Sequence, residues 1–557
     1  MGAHTLRRLT IVAFVAHAVG CAAPSRFALR PPVLREGDDR PFARKVTTDE
    51  ESEYANTVDA VVLRTLSNAV RFDTCGPSHN VNSLDEVPDS TWFTNRSVTP
   101  AELLRGTCPS DGPTPPLKIK TTKEEGPAQE FDAVDAHGVR FTLRTDGLRP
   151  RQPEITTAAN AIVSRLYWAA GYNTPCTNVA YLHENDLTVT DKSEEIDEAG
   201  SREQLSSERL SELLAKATRR LNGDIRLSAM RSIAGESVGA WRGKGKRKDD
   251  PNDMVEHEDR RELRAERLLA AWVNHWDTQG NSYDAFVPAP AGGGYIVHYF
   301  LDFADSLGGT ATGKGQGEPR LGYTSVFNPG EIAVDAVTFG LVRRPWDKLK
   351  VDSRYPNLGL LSVEHFAPMD YSPLIPLVRW SCAQQDDLAW MARRIAQIGR
   401  KHIQVAVDAG DLANSKEAIR LVDILVGRRE KILRASFSRV SPLANVTLTQ
   451  RQLCMSDLGV VAGTSLPQAV SYASSFQRAS GDRSSATLRH EVFAERAQVC
   501  IDLPPHFARA ASLDGSVDRY GTIDIVRIDG KTKTTLRAHV YDLGQARGYV
   551  LAGVERL

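Results

Sequence analysis

A surplus of either charge is missing from this sequence: 69 Lys and Arg stand against 70 Asp and Glu in 557 residues, a net charge of −1. Dedicated nucleic-acid binders normally show a basic balance or a basic face, so that class is set aside. No C-x-x-C occurs, and no cluster of histidines and cysteines takes zinc-ligand spacing, which argues against a structural zinc. No repeat of 20–50 residues is visible, which excludes a solenoid or a propeller. What remains is ordinary: 41% hydrophobic and 25% charged residues are globular proportions, not those of a disordered, collagen-like or polytopic membrane chain. At about 150 residues per domain the length fits three or four domains.

The N-terminus carries an address. Residues 1–20 place Arg7 and Arg8 ahead of a short apolar run with no acidic residue, the layout of a secretory signal peptide. The run is too short for a stable transmembrane anchor. It ends in Ala18-Val19-Gly20-Cys21, which resembles a bacterial lipobox with Ala18 where Leu is usual; the cysteine then becomes the lipidated N-terminus. Simple secretion is the other reading. Ala22 lacks the Asp that retains many such proteins in the inner membrane, so the expected place is the outer membrane, facing the periplasm or the exterior. Six cysteines are left, Cys75, Cys108, Cys176, Cys382, Cys454 and Cys500. An exported chain permits disulfides, whose connectivity sequence does not fix; proximity favours Cys75 with Cys108 and Cys454 with Cys500.

The expected fold class is α+β. After the signal peptide (1–20), residues 21–50 read as a Pro- and Arg-rich tether, followed by an N-terminal extension over 51–116 with a helical stretch near 59–70. Gly112-Pro113-Thr114-Pro115-Pro116 punctuates the chain. A strand-rich segment spans 117–254, with alternation at Gly138–Arg144, a helix over Thr156–Ala170 and strands at 179–182 and 225–233. Its charged insertion, 184–220, reads as an exposed helix. Residues 255–442 read as helical, with helices at 256–276, 386–409 and 416–436, and 443–557 as a separate β-rich module with a hairpin around Asp529-Gly530. Strand-rich part, strong helix, helical part is the order of a two-lobed kinase-like core, an order that many α+β proteins share.

The chemistry-bearing string follows the long helix: His275-Trp276-Asp277-Thr278-Gln279-Gly280-Asn281, then a strand ending in Leu301-Asp302-Phe303. Phosphoryl transfer requires an Asp to orient the acceptor hydroxyl, an Asn to hold Mg²⁺ and an Asp beyond a strand to bridge the metal to phosphate. Asp277, Asn281 and Asp302 supply these groups in that order; helix-end and strand-end turns use the same residue types for capping.

The strings around 82–96, 249–286 and 298–308, with Arg343-Arg344-Pro345-Trp346 and Gly427-Arg428-Arg429, resemble a family of bacterial exported lipoproteins. The central region of that family is similar to atypical kinases of the HipA-like, CotH-like and lipid-kinase-like kinds. The resemblance implies a catalytic Asp277, metal ligands Asn281 and Asp302, a phosphate-binding Arg144 and a carboxylate partner for it in Glu154, with ATP and Mg²⁺ as cofactors. Two departures stand out. The Asp-to-Asn spacing is one residue short of the protein-kinase pattern, and Arg144 stands where such folds carry Lys. A guanidinium fork does not replace a point-like ammonium without rearrangement. The expected function is a lipid-anchored, kinase-like envelope protein with a degenerate nucleotide- and Mg²⁺-binding phosphotransferase site; the alternative is a non-catalytic pseudokinase scaffold or envelope-binding lipoprotein. Expected partners are the membrane, through lipid on Cys21, and a protein or envelope partner for the C-terminal module, with no nucleic acid.

Three other strings are weaker. Gly235-Glu236-Ser237-Val238-Gly239 matches a hydrolase elbow but no helix is expected after it. Gly308 to Lys314 resembles a P-loop without its Ser/Thr. The basic stretch Arg242–Lys248 reads as a solvated loop that lipid phosphates could meet.

Overall fold

The computed structural model describes residues 26–43, 46, 75–109, 112–125, 128–147, 152–197, 200–278, 280–309, 321–325, 329–339, 341–480, 486–508 and 515–557. Cys21, the leader and the stretch near 59–70 lie outside them.

The architecture is mixed α and β. The first sheet runs β4-β8-β3-β2-β1-β6-β7, with β5 beside β1. Its strands are β1 (Leu117–Glu125), β2 (Ala128–Val134), β3 (Arg140–Arg144), β4 (Thr177–Leu182), β5 (Leu187–Thr188), β6 (Glu194–Ile196), β7 (Arg202–Gln204) and β8 (Ile225–Arg231). Alternation divides its faces. Phe131, Leu143 and Ala229 belong to an apolar cluster with Leu210, Leu213 and Leu214, whereas Glu130, Thr142, Arg144 and Ser228 line a cavity on the other face. The insertion expected to be helical contributes mostly short strands, β5 to β7, and one helix at Ser207–Leu214. Leu187 pairs in parallel with Leu117, and Glu194–Ile196 with Thr121–Lys123, so backbone pairing to the β1 edge overrides the helical reading of the insertion's charge.

Between β3 and β4 lies α1 (Ile155–Ala170), almost wholly buried. Asp146 starts it, its carboxylate accepting the Thr157 N–H at 2.9 Å and hydroxyl at 2.8 Å. Gly171 ends it at φ 129°, and a Cβ there would fall 2.2 Å from the Phe93 ring, so both the turn and the packing demand glycine. The long helix expected from 256 begins later: 257–259 form a 3₁₀ turn, and α2 spans Arg261–Val273, closed by Asn274 in the left-handed region at φ 54°. The helix expected over 386–409 is two, α3 (Gln385–Ala396) and α4 (Arg400–Asp408), interrupted before Gly399. Beyond them, α5 (Ser415–Phe437) packs on α2, α3 and α4. Trp92, Tyr167, Trp272, Trp390, Leu269, Ile395 and Leu425 share the core that joins α1 to these helices. β9 (Glu236–Ser237), which precedes α2, joins β10 (Ser282–Pro288) and β11 (Gly294–Phe300), which follow it, in a second small sheet.

The C-terminal part is two facing sheets: β12 (Leu443–Leu448), β13 (Gln452–Asp457), β17 (Gln498–Asp502) and β16 (His490–Phe493) in that order, and β15 (Ala486–Thr487), β14 (Val470–Arg478), β18, β19 and β20 in that order. Leu453, Met455, Val499 and Ile501 from the first meet Phe476, Ile523, Ile525 and Leu536 from the second in one core. The hairpin at Asp529-Gly530 is present as β18 (Tyr520–Asp529) and β19 (Thr532–Asp542), followed by β20 (Tyr549–Arg556). This part has its own core, yet Leu84 packs on it, Val554 N–H donates to Ser83 O at 2.8 Å and Arg556 pairs with Asp85.

Two further expectations are corrected. Residues 26–43, read as free tether, lie along the protein surface: Arg35 bridges to Asp89 and Phe42 to Gly294. Phe27 packs against Gly553, where a Cβ would lie 2.4 Å from its ring, and donates its N–H to the Tyr520 hydroxyl at 3.0 Å. Composition missed this because the strap is held by a few aromatic and backbone contacts, not by periodic burial. The disulfides are Cys75–Cys382, Cys108–Cys176 and Cys454–Cys500. Only the last follows sequence proximity, because Cys454 and Cys500 are cross-strand neighbours; Cys75 is carried to the helical part and Cys108 to the end of the α1–β4 loop.

Candidate functional site

Arg144 ends β3 and points from the sheet toward the turn after β11. Its Nη1 donates to Asp302 Oδ1 at 2.7 Å, and its Nη2 to Glu130 Oε2 at 2.8 Å. Glu130 stands directly opposite Arg144 in the β2–β3 register, so the hairpin itself creates that pair. Asp302 has φ 56°, rare for a non-glycine residue, and this sharp exit from β11 aims its carboxylate back at the sheet. Asn160 holds the turn, its Oδ1 accepting the Phe303 N–H at 2.9 Å and its Nδ2 reaching Ser228 Oγ at 3.3 Å. These groups border a cavity of about 210 Å³ walled also by Thr142, Pro175, Thr177, Met230 and Leu301.

The other expected residues lie elsewhere. Glu154 is not the partner of Arg144: its carboxylate accepts the Ala413 N–H at 3.1 Å, and the residue of α1 that faces the cavity is Asn160. Asn281 is buried beneath the turn rather than lining the cavity. Its Oδ1 accepts from Arg379 Nη2 at 3.3 Å, and its Nδ2 has no hydrogen-bond partner among the described residues. Arg379 in turn reaches Glu266, a fully buried carboxylate of α2 that also accepts from the Tyr167 hydroxyl and Trp380 Nε1, each at 2.8 Å. Burial raises the Glu266 carboxyl above its ordinary range, with Arg379 opposing. Asp277 is half-buried and does not line the cavity.

His275 is the unforeseen member. It is fully buried 5.5 Å from the Phe303 ring, and neither ring nitrogen has a hydrogen-bond partner of normal geometry among the described residues. Burial pushes it down to about 4, with the Asp302 carboxylate pulling up and Arg379 pushing down. The folded imidazole is therefore neutral at pH 5, where an unfolded one is charged. The unfolded state then binds the extra proton, so this contribution to stability is intact above about pH 6.5 and declines toward pH 4. Between pH 7 and pH 4 the wild type should lose about 3 kcal/mol more than His275→Gln, read from denaturant unfolding at each pH. A parallel pH dependence in the two proteins refutes it.

Among the described residues no group of three or more His, Cys, Asp or Glu is arranged to hold a metal ion. Asp302 already accepts from Arg144 and Asn281 from Arg379, so the two expected Mg²⁺ ligands are engaged by guanidinium groups and do not fit the metal in this arrangement. Glu130 beside Arg144 also opposes a phosphate there. The rival strings add nothing: Ser237 sits in the two-residue β9 with no helix after it, and residues 310–320 lie outside the described ones. Arg247, read as part of a solvated loop, is buried on Asp284 at 2.9 Å.

The sheet-to-turn geometry thus unites Arg144 with Asp302 and adds Glu130 and Asn160 to the cavity, whereas Asn281 and Asp277 stay off it and Arg379 pairs with Asn281 in the buried layer. Glu130 went unseen in the sequence because the β2–β3 turn at Asp135–Gly138, which sets the residue facing Arg144, leaves its register unmarked by local pattern. A comparison of the chain with protein-family models, curated proteins and solved structures finds no match.

Proposed function

We propose that this chain is a kinase-like envelope protein, held at a bacterial outer membrane by lipid on Cys21, whose cleft serves as a pseudokinase scaffold rather than a catalyst. The observation that carries the kinase-like part is the Arg144–Asp302 pair: a cation ending the third strand and a carboxylate following a later strand meet at 2.7 Å across 158 residues. A helix between β3 and β4 and the helical part below the cavity support the same reading, because phosphoryl-transfer folds use those positions for phosphate and Mg²⁺. Glu130 on Arg144, and Arg379 on Asn281, favour the scaffold over the degenerate phosphotransferase.

The test is thermal unfolding of the full chain with saturating ATP and Mg²⁺. A ligand that binds only the native state must raise its apparent stability. The expected result is no shift; a rise that disappears without Mg²⁺ would instead support the phosphotransferase. For the anchor, Cys21→Ser should leave the membrane fraction after cell fractionation. A wild-type protein already soluble overturns that part alone.

A further inference from the structure

A second cavity, of about 380 Å³, lies across Pro175 from the first and includes Arg96, Trp168, Asn173, Arg231, Ile233 and Tyr299 in its wall. Its chemistry is one-sided. Two arginines line it, and among the described residues no Asp or Glu does. Arg231, Trp168 and Tyr299 line the space, and among the described residues the Arg231 guanidinium, the Trp168 indole N–H and the Tyr299 hydroxyl have no hydrogen-bond partner. A cavity of that size, mostly apolar and aromatic with a few convergent polar groups, has the form of a small-molecule site.

The wall is also held rigid. Arg96 donates to Trp168 O at 3.2 Å, Tyr172 O at 3.0 Å and Asn173 Oδ1 at 3.1 Å, and its guanidinium carbon stands 5.5 Å from the Trp168 ring centroid. Asn173 donates to Thr91 O and His298 O at 2.9 and 3.1 Å. The Cys108–Cys176 disulfide ties the 107–109 wall to the 173–176 wall. Rigid placement lowers the ordering cost of binding.

We infer that this cavity binds an acidic sugar: a ring whose C–H face lies on the aromatic and aliphatic wall while its carboxylate pairs with Arg231 and its hydroxyls accept from Trp168 and Tyr299. Arg–carboxylate pairing is the strong, planar form of hydrogen bonding, and an acceptor-rich ring satisfies donors that an apolar ligand leaves bare. The inference does not depend on the cleft at Arg144.

The test is calorimetric titration of the full chain with D-glucuronate, D-glucose and acetate. Glucuronate should bind, glucose and acetate should bind at least about tenfold more weakly, and Arg231→Gln should weaken glucuronate by about tenfold. Arg231→Lys should fall between the two, since it keeps charge but loses the fork. Acetate binding as well as glucuronate would reduce the site to a simple anion site and overturn the sugar assignment. Equal glucose binding, no glucuronate binding, or an Arg231→Gln protein that titrates like wild type overturns the proposal.

Discussion

Asp85→Ala should cost about 3–5 kcal/mol, the range expected when one member of a buried ion cluster is removed. Asp85 lies between three arginines from distant parts of the chain: Arg261 of α2 at 2.5 Å, Arg393 of α3 at 3.2 Å, and Arg556 of β20. Burial works against its charge, but Arg556, Arg261 and Arg393 outweigh burial and hold the carboxyl well below its ordinary value near 3.8. The alanine chain keeps three buried guanidinium groups and loses the carboxylate that they share. Chemical denaturation should show the midpoint falling without a change of slope. Arg556→Met should lose less, because Asp85 keeps two partners. The carboxylate's contribution is complete above about pH 4 and fades below, where its protonation in the unfolded state begins to compete. An alanine chain within about 1 kcal/mol of wild type refutes the cluster as a joint.

The second large effect concerns the cavity at Arg144. A guanidinium spans two carboxylates at once, here Glu130 and Asp302, whereas a lysine ammonium is a single compact charge. Arg144→Lys should therefore release one of the two acids and gain a Mg²⁺-dependent thermal shift with ATP that the wild type lacks. Adding Asp302→Ala to the Arg144→Lys chain should remove that shift, since Asp302 would be the metal's contact, while adding Asp277→Ala instead should keep it. A wild-type shift abolished by Asp302→Ala reverses the assignment toward a working phosphotransferase. No shift in wild type or Arg144→Lys leaves the scaffold.

Local signals made the helices and the C-terminal hairpin legible. Ile162, Val163, Leu166 and Ala170 repeat at helical spacing and α1 follows; Asp529-Gly530 marks the turn between β18 and β19. Asp302 was legible as the residue after a strand. Its partner Glu130 was not, because cross-strand register depends on where the β2–β3 turn falls, and one residue of slip exchanges the faces. Glu154 carried the right charge near the start of α1, but the helix turns it toward Ala413. Arg379 and Cys382 sit in a stretch with little periodicity, so nothing local connects them with Asn281 or Cys75 across 98 and 307 residues.

The strap at 26–43 sets a length scale. Phe27 is seated on β20 and the Tyr520 hydroxyl, which leaves only the five residues from 22 to 26 between Cys21 and the folded body. Fully extended, five residues reach about 18 Å. A lipid on Cys21 would thus hold the molecule on a short leash, with the β-sandwich moored close to the headgroups and unable to roam the periplasmic depth. Partners bound by that sandwich would have to be found at the membrane surface itself.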